Sequence, residues 1–495
     1  MRSCIALFLT FSFTIFTYSQ DLGYGLVAND LTNRPMQDIA KPGYLQTITD
    51  PSFGTTIRRI TNAATGEIIK PMYSTIQAWN ADESYMIVYQ VGKGHLLLNG
   101  TTYQFIKTLD VKPDDIEQLF WDFNNPKYFY YLEATSDDFI KYNVDTNAKE
   151  ILVNLDTASG CNGNISLGND VQMMSWNSDI ISFRCDNRSA FYYKISTGVT
   201  TSFNINNINY LAPMPTPSGN YFYHDKISYN SAGNIQTTLN ELKGEHSCMG
   251  KLANGNDAYF AVAFDPTSQG GCTGDIVAHD MASGECYSII SESQGYNYTQ
   301  SGTHISALAH KNTQPGWVAA SLVGYKDGGQ NGQTLLDQEL VIAKADKNNI
   351  KVYRIGHHRA DEDQFDYWGE PHAVLSPTGT RVLFGSDWSG SDDGKSIDCY
   401  VVELPIYNSA LAVTDNILDN SINIYPNPVA DQITINNDSG QKIKKVSFFN
   451  MKGQKIKTQN LTNSTIDVST ISGGIYLLTI HLENAIINKK IVIEK

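Results

Sequence analysis

Apolar and polar positions alternate along most of this chain in one recurring unit: a short apolar strand, a tight polar turn, and a second strand rich in aromatic and β-branched residues. The unit reads QAWNADESYMIVYQ from Gln77, LFWDFNNPKYFYYL from Leu119, MSWNSDIISF from Met174 and APMPTPSGNYFY from Ala212. It returns as MGKLANGNDAYFAVAF from Met249, LAHKNTQPGWVAASL from Leu308 and AVLSPTGTRVLFGS from Ala373. Period-two alternation, or a short apolar run bounded by turn residues, marks a strand with one or both faces buried. The turn centres (Asp82, Asn125, Ser178, Ser218, Gly255, Pro315 and Thr378) are mostly types that favour tight turns.

After most of these hairpins comes a second strand pair, such as FIKYNVDTNAKEILVNL, FYYKISTGVTTSFNI, GDIVAHDMASGECYSII and DCYVVELP. Four strands repeated roughly every 50 residues is the blade unit of a propeller. Counting hairpins predicts an all-β fold, a seven-bladed β-propeller over residues 21–405. The last blade runs out near Leu404 after three strands. The isolated stretch FGTTIRRITN from Phe53 is therefore expected to close the ring, with residues 55–61 as the missing outer strand. Past residue 20 no stretch sustains the apolar spacing of a long helix.

The pattern breaks at both ends. Residues 1–20 join a basic Arg2 to an apolar run ending in small and polar residues, which predicts a cleaved secretory signal. Residues 406–421 read as a polar linker, and 422–495 as a small Ig-like β-sandwich with turns at Asn427-Pro428, Lys452-Gly453 and Gly473-Gly474.

A net charge of −15 argues against a nucleic-acid partner, which needs a basic footprint. From Ser421 onward Lys outnumbers Asp plus Glu, so the central domain is more acidic than the whole. Cys4 leaves with the signal. Cys161, Cys185, Cys248, Cys272, Cys286 and Cys399 remain, an even set for an oxidising compartment with the pairing open. The spacing of Cys272 and Cys286 suits neighbouring strands, and Cys248 reads as structural. No Cys-x-x-Cys, Gly-x-Ser-x-Gly, His-Glu-x-x-His or Walker pattern occurs.

Propellers bind ligands where inner strands meet loops at one end of the channel. His246 in GEHSCMG, His304 in GTHISALAH and His372 in GEPHAVLS hold roughly that place in the last three blades. Such imidazoles can ligate a divalent metal or act as general bases, or they simply bond a neighbouring blade's backbone. The densest polar stretch, His357 to Asp363, leads to Tyr367, Trp368 and Glu370. Arg359 is the candidate for gripping a carboxylate, and Tyr367 and Trp368 could stack on a sugar. The loop with Asp387, Asp392 and Asp393 lacks a clean calcium-ligand spacing and reads as a solvated hairpin.

Two resemblances follow. Tyr425-Pro426-Asn427-Pro428, the Asn450-Met451-Lys452-Gly453 turn, Gly474-Ile475-Tyr476 and the Lys-rich ending resemble the type IX secretion sorting domain of Bacteroidetes over nearly all of 422–495. That implies contact with the type IX machinery, passage through periplasm and outer membrane, and release or surface attachment. The His-led strand starts and the TPSGNYFY and SPTGTRVLFGSDW hairpins resemble propeller-type polysaccharide lyases of the oligogalacturonide lyase kind. That implies a histidine-rich metal site binding a uronate carboxylate. The chain departs from the family in having a single His after Glu370-Pro371, and from ulvan-type relatives in having no Arg between Arg188 and Arg354.

The expected function is thus a secreted monomer acting on extracellular polysaccharide, a lyase cleaving uronate glycans by β-elimination. Arg359, or a divalent metal on His304 and His372, would meet the carboxylate, with His246 as base and Tyr367 as proton donor. The alternative class is a non-catalytic glycan- or protein-binding propeller at the cell surface. A glycoside hydrolase would need a carboxylate pair, for which Glu245 and Glu370 are available.

Overall fold

A computed structural model describes residues 21–168, 171–186, 189–205, 212–239, 244–263, 276–296, 304–323, 331–360, 366–389, 395–407, 422–437, 442–450, 454–459, 464–482 and 486–495. The predicted signal and most of the predicted linker lie outside them. The chain divides into two compact units, Met1–Ser409 and Ala410–Lys495.

Among the described residues the first unit holds seven antiparallel sheets, six of four strands and one of five. Among the same residues helix is confined to one short piece, Leu155–Ser159, and two 3-10 turns. Each sheet follows chain order outward from its innermost strand, as in Val374–Leu375, Arg381–Ser386 and Asp398–Glu403. The two outermost strands of that last sheet come from the other end of the unit: Thr56–Arg59 pairs with Asp398–Glu403, and Thr47–Thr49 adds a fifth. The segment expected to close the ring therefore does pair there, aligning Ile57 with Val402 and Arg58 with Val401. An Arg58–Glu403 ion pair at 2.7 Å fixes the register.

Sheet-to-sheet bonds at the hairpin turns run in a circle. Asn80 donates to the Pro126 carbonyl, the Phe123 amide to Ser178 Oγ, the Trp176 amide to the Pro217 carbonyl, and Thr216 Oγ1 to Asp257. The Ala253 amide then donates to the Ala345 carbonyl, the Lys311 amide to the Pro377 carbonyl, and the Thr378 amide to Glu83, which returns to the first sheet. The approach is close enough that Gly316 (φ +94°) has no room for a side chain, since a Cβ there would lie 2.5 Å from the Ala253 nitrogen. Between sheets the core mixes large aromatics with small residues. Trp79, Trp121 and Tyr259 are buried, and Ala261, Ala278, Ala319 and Ala343 let neighbouring sheets pack closely.

Cys161 and Cys185 form a disulfide, and Cys286 is disulfide-bonded. Cys272 lies outside the described residues. Cys248 and Cys399 are buried free thiols, and burial pushes Cys248 up to about 12, an inert state.

The second unit stacks a three-stranded sheet (Ile422–Tyr425, Gln432–Asn437, Thr465–Asp467) on a four-stranded one running from Lys455–Gln459 through Ile443–Asn450 and Gly474–Leu482 to Ile486–Ile493. Alternate residues of both sheets (Ile433, Ile435, Val446, Phe448, Leu478, Ile480 and Ile491) form its core.

Candidate functional site

The innermost strands of the fifth, sixth and seventh sheets carry histidines at their leading ends, away from the hairpin turns. His304 opens His304–Ser306, paired with Ser321. His246 sits in Gly244–Lys251 where the register slips between Glu245 and Ser247. That bulge leaves His246 outside the ladder and re-aims its side chain. His372 precedes Val374–Leu375. His246 (φ 48°) and His372 (φ 47°) both occupy the left-handed region, which costs a non-glycine residue of order 1 kcal/mol or more and recurs at functional sites.

The three imidazoles form a stacked row. Ring centroids are 4.3 Å apart between His246 and His304 and 4.2 Å between His304 and His372, with interplanar angles of 18° and 26°. Glu370 Oε2 caps the row, 3.4 Å from His304 Nε2 and 3.3 Å from His372 Nε2. Tyr73 packs edge-on against His304 and His372. His304 and His372 are fully buried. Burial first, then the Lys70 charge and the neighbouring histidines, hold His372 well below the usual imidazole range. His372 is thus neutral at pH 7 with a lone pair to offer.

This set fits a divalent cation. Ligand atoms bound at about 2.1 Å in tetrahedral or octahedral arrangement lie about 3–3.5 Å apart, the spacing found here between the carboxylate oxygen and each ring nitrogen. His304, Glu370 and His372 are the group among the described residues whose ligand atoms come within 4.8 Å of one another.

Beside the row is a buried polar cluster. Lys70 Nζ lies 3.0 Å from Glu117 Oε1, both side chains almost wholly buried. Tyr367 donates its hydroxyl to the same carboxylate, at 2.9 and 3.0 Å from the two oxygens. Lys70 also sits 4.4 Å from the centroid of the Tyr367 ring and 4.9 Å from that of Trp368. Trp368 stacks on Tyr89 at 6.5 Å, and Tyr367 meets His372 edge-on at 5.4 Å.

Of the residues singled out in the sequence, His246, His304, His372 and Tyr367 therefore come together. Arg359 does not join them. It is 1% exposed, bonded to Asp50 at 3.2 Å and to the His357 carbonyl, and packed over Trp388, so it presents no open guanidinium to a ligand. Asp387 is buried, and Asp392, Asp393 and residues 361–365 lie outside the described residues. The Glu245 side chain is likewise outside them.

Sequence reasoning passed over Lys70, Glu117 and Tyr73 and gave Glu370 no place beside the histidines. The available signal was positional: Lys70 ends the first innermost strand, Ile69–Lys70, and Glu117 lies just before the second, Phe120–Trp121.

Residues 423–494 match the family of secretion system C-terminal sorting domains. No curated protein matches the chain. Among solved structures, an oligogalacturonate lyase in complex with manganese is similar in fold: 14% identical, TM-score 0.50, covering 74% of this chain and 99% of that one. A second oligogalacturonate lyase, from Vibrio parahaemolyticus, is 15% identical with TM-score 0.48, covering 73% and 96%. The first unit thus has an all-β, propeller-like fold, and the sorting domain directs the chain through type IX secretion to the cell surface or the extracellular space.

Proposed function

We propose that the first unit is a seven-bladed propeller spanning residues 21–405 that acts on extracellular polysaccharide, cleaving uronate-containing glycans by β-elimination. In this reading residues 1–20 are a removed signal, 406–421 a linker and 422–495 an Ig-like sorting domain. The observation that carries it is the stacked row of His246, His304 and His372 capped by Glu370. The likeness to a manganese-containing oligogalacturonate lyase supports it.

His304, Glu370 and His372 would hold a divalent cation, which when bound supplies positive charge to a uronate carboxylate and so acidifies its C5 proton. This gives Arg359 no part, because its guanidinium is enclosed with Asp50. Proton transfer falls to His246 and Tyr367, the remaining titratable groups of the sequence-derived set at the row. Trp368 and Tyr89, half-buried and stacked, offer an aromatic face to a sugar ring. Elimination leaves a 4,5-unsaturated sugar on the new non-reducing end.

The test incubates the exported protein with a panel of uronate polysaccharides and follows ultraviolet absorbance of the unsaturated product, with and without chelator. A rise abolished by chelator is expected. A flat trace on every polymer, with sugar binding that survives chelation and is lost in Trp368→Ala, would instead establish a glycan-binding module.

A further inference from the structure

The lyase reading leaves the Lys70–Glu117 pair without a task. Burying an ammonium and a carboxylate costs several kcal/mol per ion before their attraction offsets it, so a fold can replace such a pair with apolar residues at little loss. Here the pair touches a half-buried tyrosine next to the histidine row. Lys70, Glu117 and Tyr367 come from three separate places: the first innermost strand, the segment before the second, and the turn before the seventh sheet.

We propose that Lys70 and Glu117 are positioning residues that make Tyr367 the acceptor of the substrate's C5 proton, with Glu117 as the terminal proton acceptor; this rests on the lyase reading. A carboxylate 3.0 Å from an ammonium is an acceptor only, so the phenol must be the donor between them. Tyr367 has one proton, and Glu117 holds it at 2.9 and 3.0 Å. The phenol oxygen therefore keeps only lone pairs for the substrate, which suits it to take a proton rather than give one. This reverses the role expected of Tyr367 from the sequence. Lys70, beneath both the Tyr367 and Trp368 rings, pairs with Glu117 and fixes the ring.

The step balances as follows. The C5–H bond breaks and its proton forms a new O–H bond on Tyr367. The original phenol proton passes to Glu117, which becomes a neutral acid. The C5 electron pair forms the C4=C5 double bond, the C4–O bond breaks, and the departing oxygen takes a proton from water. Glu117 returns its proton through Tyr367 to solvent after product leaves.

The experiment measures kcat and KM of the full chain for Glu117→Gln, Glu117→Asp, Tyr367→Phe and the Gln/Phe double variant, on the uronate polymer that the wild type cleaves. Losing a positioned base costs about 10²–10⁴-fold, so kcat should fall at least about 100-fold with KM little changed. The double variant should be no slower than either single one, because the two groups act as one unit. Glu117→Asp should recover part of the rate. Tyr367→Phe keeps the ring over Lys70, so its fold should survive even if Glu117→Gln is destabilised, and circular dichroism checks both. Wild-type kcat in Glu117→Gln or Tyr367→Phe, with His372→Ala inactive, overturns the relay and leaves the lyase reading standing. Losses that multiply in the double variant also overturn the relay. No unsaturated product from the wild type overturns both.

Discussion

The ring is clasped between its last and first sheets by Arg381 and Glu83, and removing one partner should unlock it. Arg381 is 1% exposed, with Nη2 at 2.6 Å from Glu83 Oε2 and Nη1 on the Gly100 carbonyl and the Tyr103 hydroxyl. Its guanidinium lies over the Trp79 and Tyr407 rings. Glu83 also accepts from the Thr378 amide and hydroxyl, both at 2.7 Å. Glu83→Gln leaves a buried guanidinium facing a neutral amide, and breaking a buried pair in this way costs about 3–5 kcal/mol. The amide oxygen can still serve Thr378, so we expect the low end, about 3 kcal/mol. Unfolding entropy of about 2 cal/mol/K per residue converts this to about 4 °C in Tm for a unit as long as Met1–Ser409.

The effect should also depend on pH. Burial pushes the Glu83 carboxyl up, but the Arg381 charge and the Thr378 bonds outweigh it and hold the group below its usual range. A depressed carboxylate stabilises the fold above its unfolded pKa, near 4.3, and that contribution fades as pH falls through the folded value. The wild-type advantage should therefore be full at pH 7 and shrink below about pH 4. Thermal melts of both proteins at a series of pH values measure it. Equal Tm at pH 7, or a gap that widens in acid, would refute the reasoning.

Three further outcomes are expected. Manganese at about 100 times its Kd should stabilise the wild type by about 2.7 kcal/mol in a melt, and His372→Ala or Glu370→Gln should abolish the gain; an equal gain in either variant would remove those residues from the metal site. Arg359→Met, which leaves Asp50 buried beside His357, should lower stability by about 3 kcal/mol while kcat stays at the wild-type value; a large fall in kcat in a folded variant would return Arg359 to the chemistry. Replacing Cys161 and Cys185 by Ala opens a loop with a sequence separation of 24, and should cost about 3 kcal/mol by urea titration; no change in midpoint would contradict that loop-entropy estimate.

The repeat was legible because its determinants are local. Turn residues such as Asn125 and Gly255, and the apolar strands beside them, specify hairpins whatever lies further along the chain. The tail was legible for a similar reason, since Tyr425 to Pro428 and Gly474 to Tyr476 are contiguous. The pairing of Thr56–Arg59 with the last sheet was readable from a missing strand, whereas the fifth strand Thr47–Thr49 was not, because nothing in the repeat required it.

The site divides along the same line. His246, His304 and His372 could be picked out because each leads an innermost strand, a position fixed by the period of the repeat. Arg359 and Asp50 lie far apart in sequence, so the burial and pairing of that arginine could not be read from its scarcity. Nor could Glu117 be seen to meet Lys70 and Tyr367, which arrive from other sheets. The sequence by itself determined the all-β repeat, the ring-closing strand and the secretion tail, since backbone conformation and strand patterning are settled within a few residues. Only the tertiary structure decided which side chains share the space at the row and which are enclosed, because closing the ring joins distant segments and removes their charges from water.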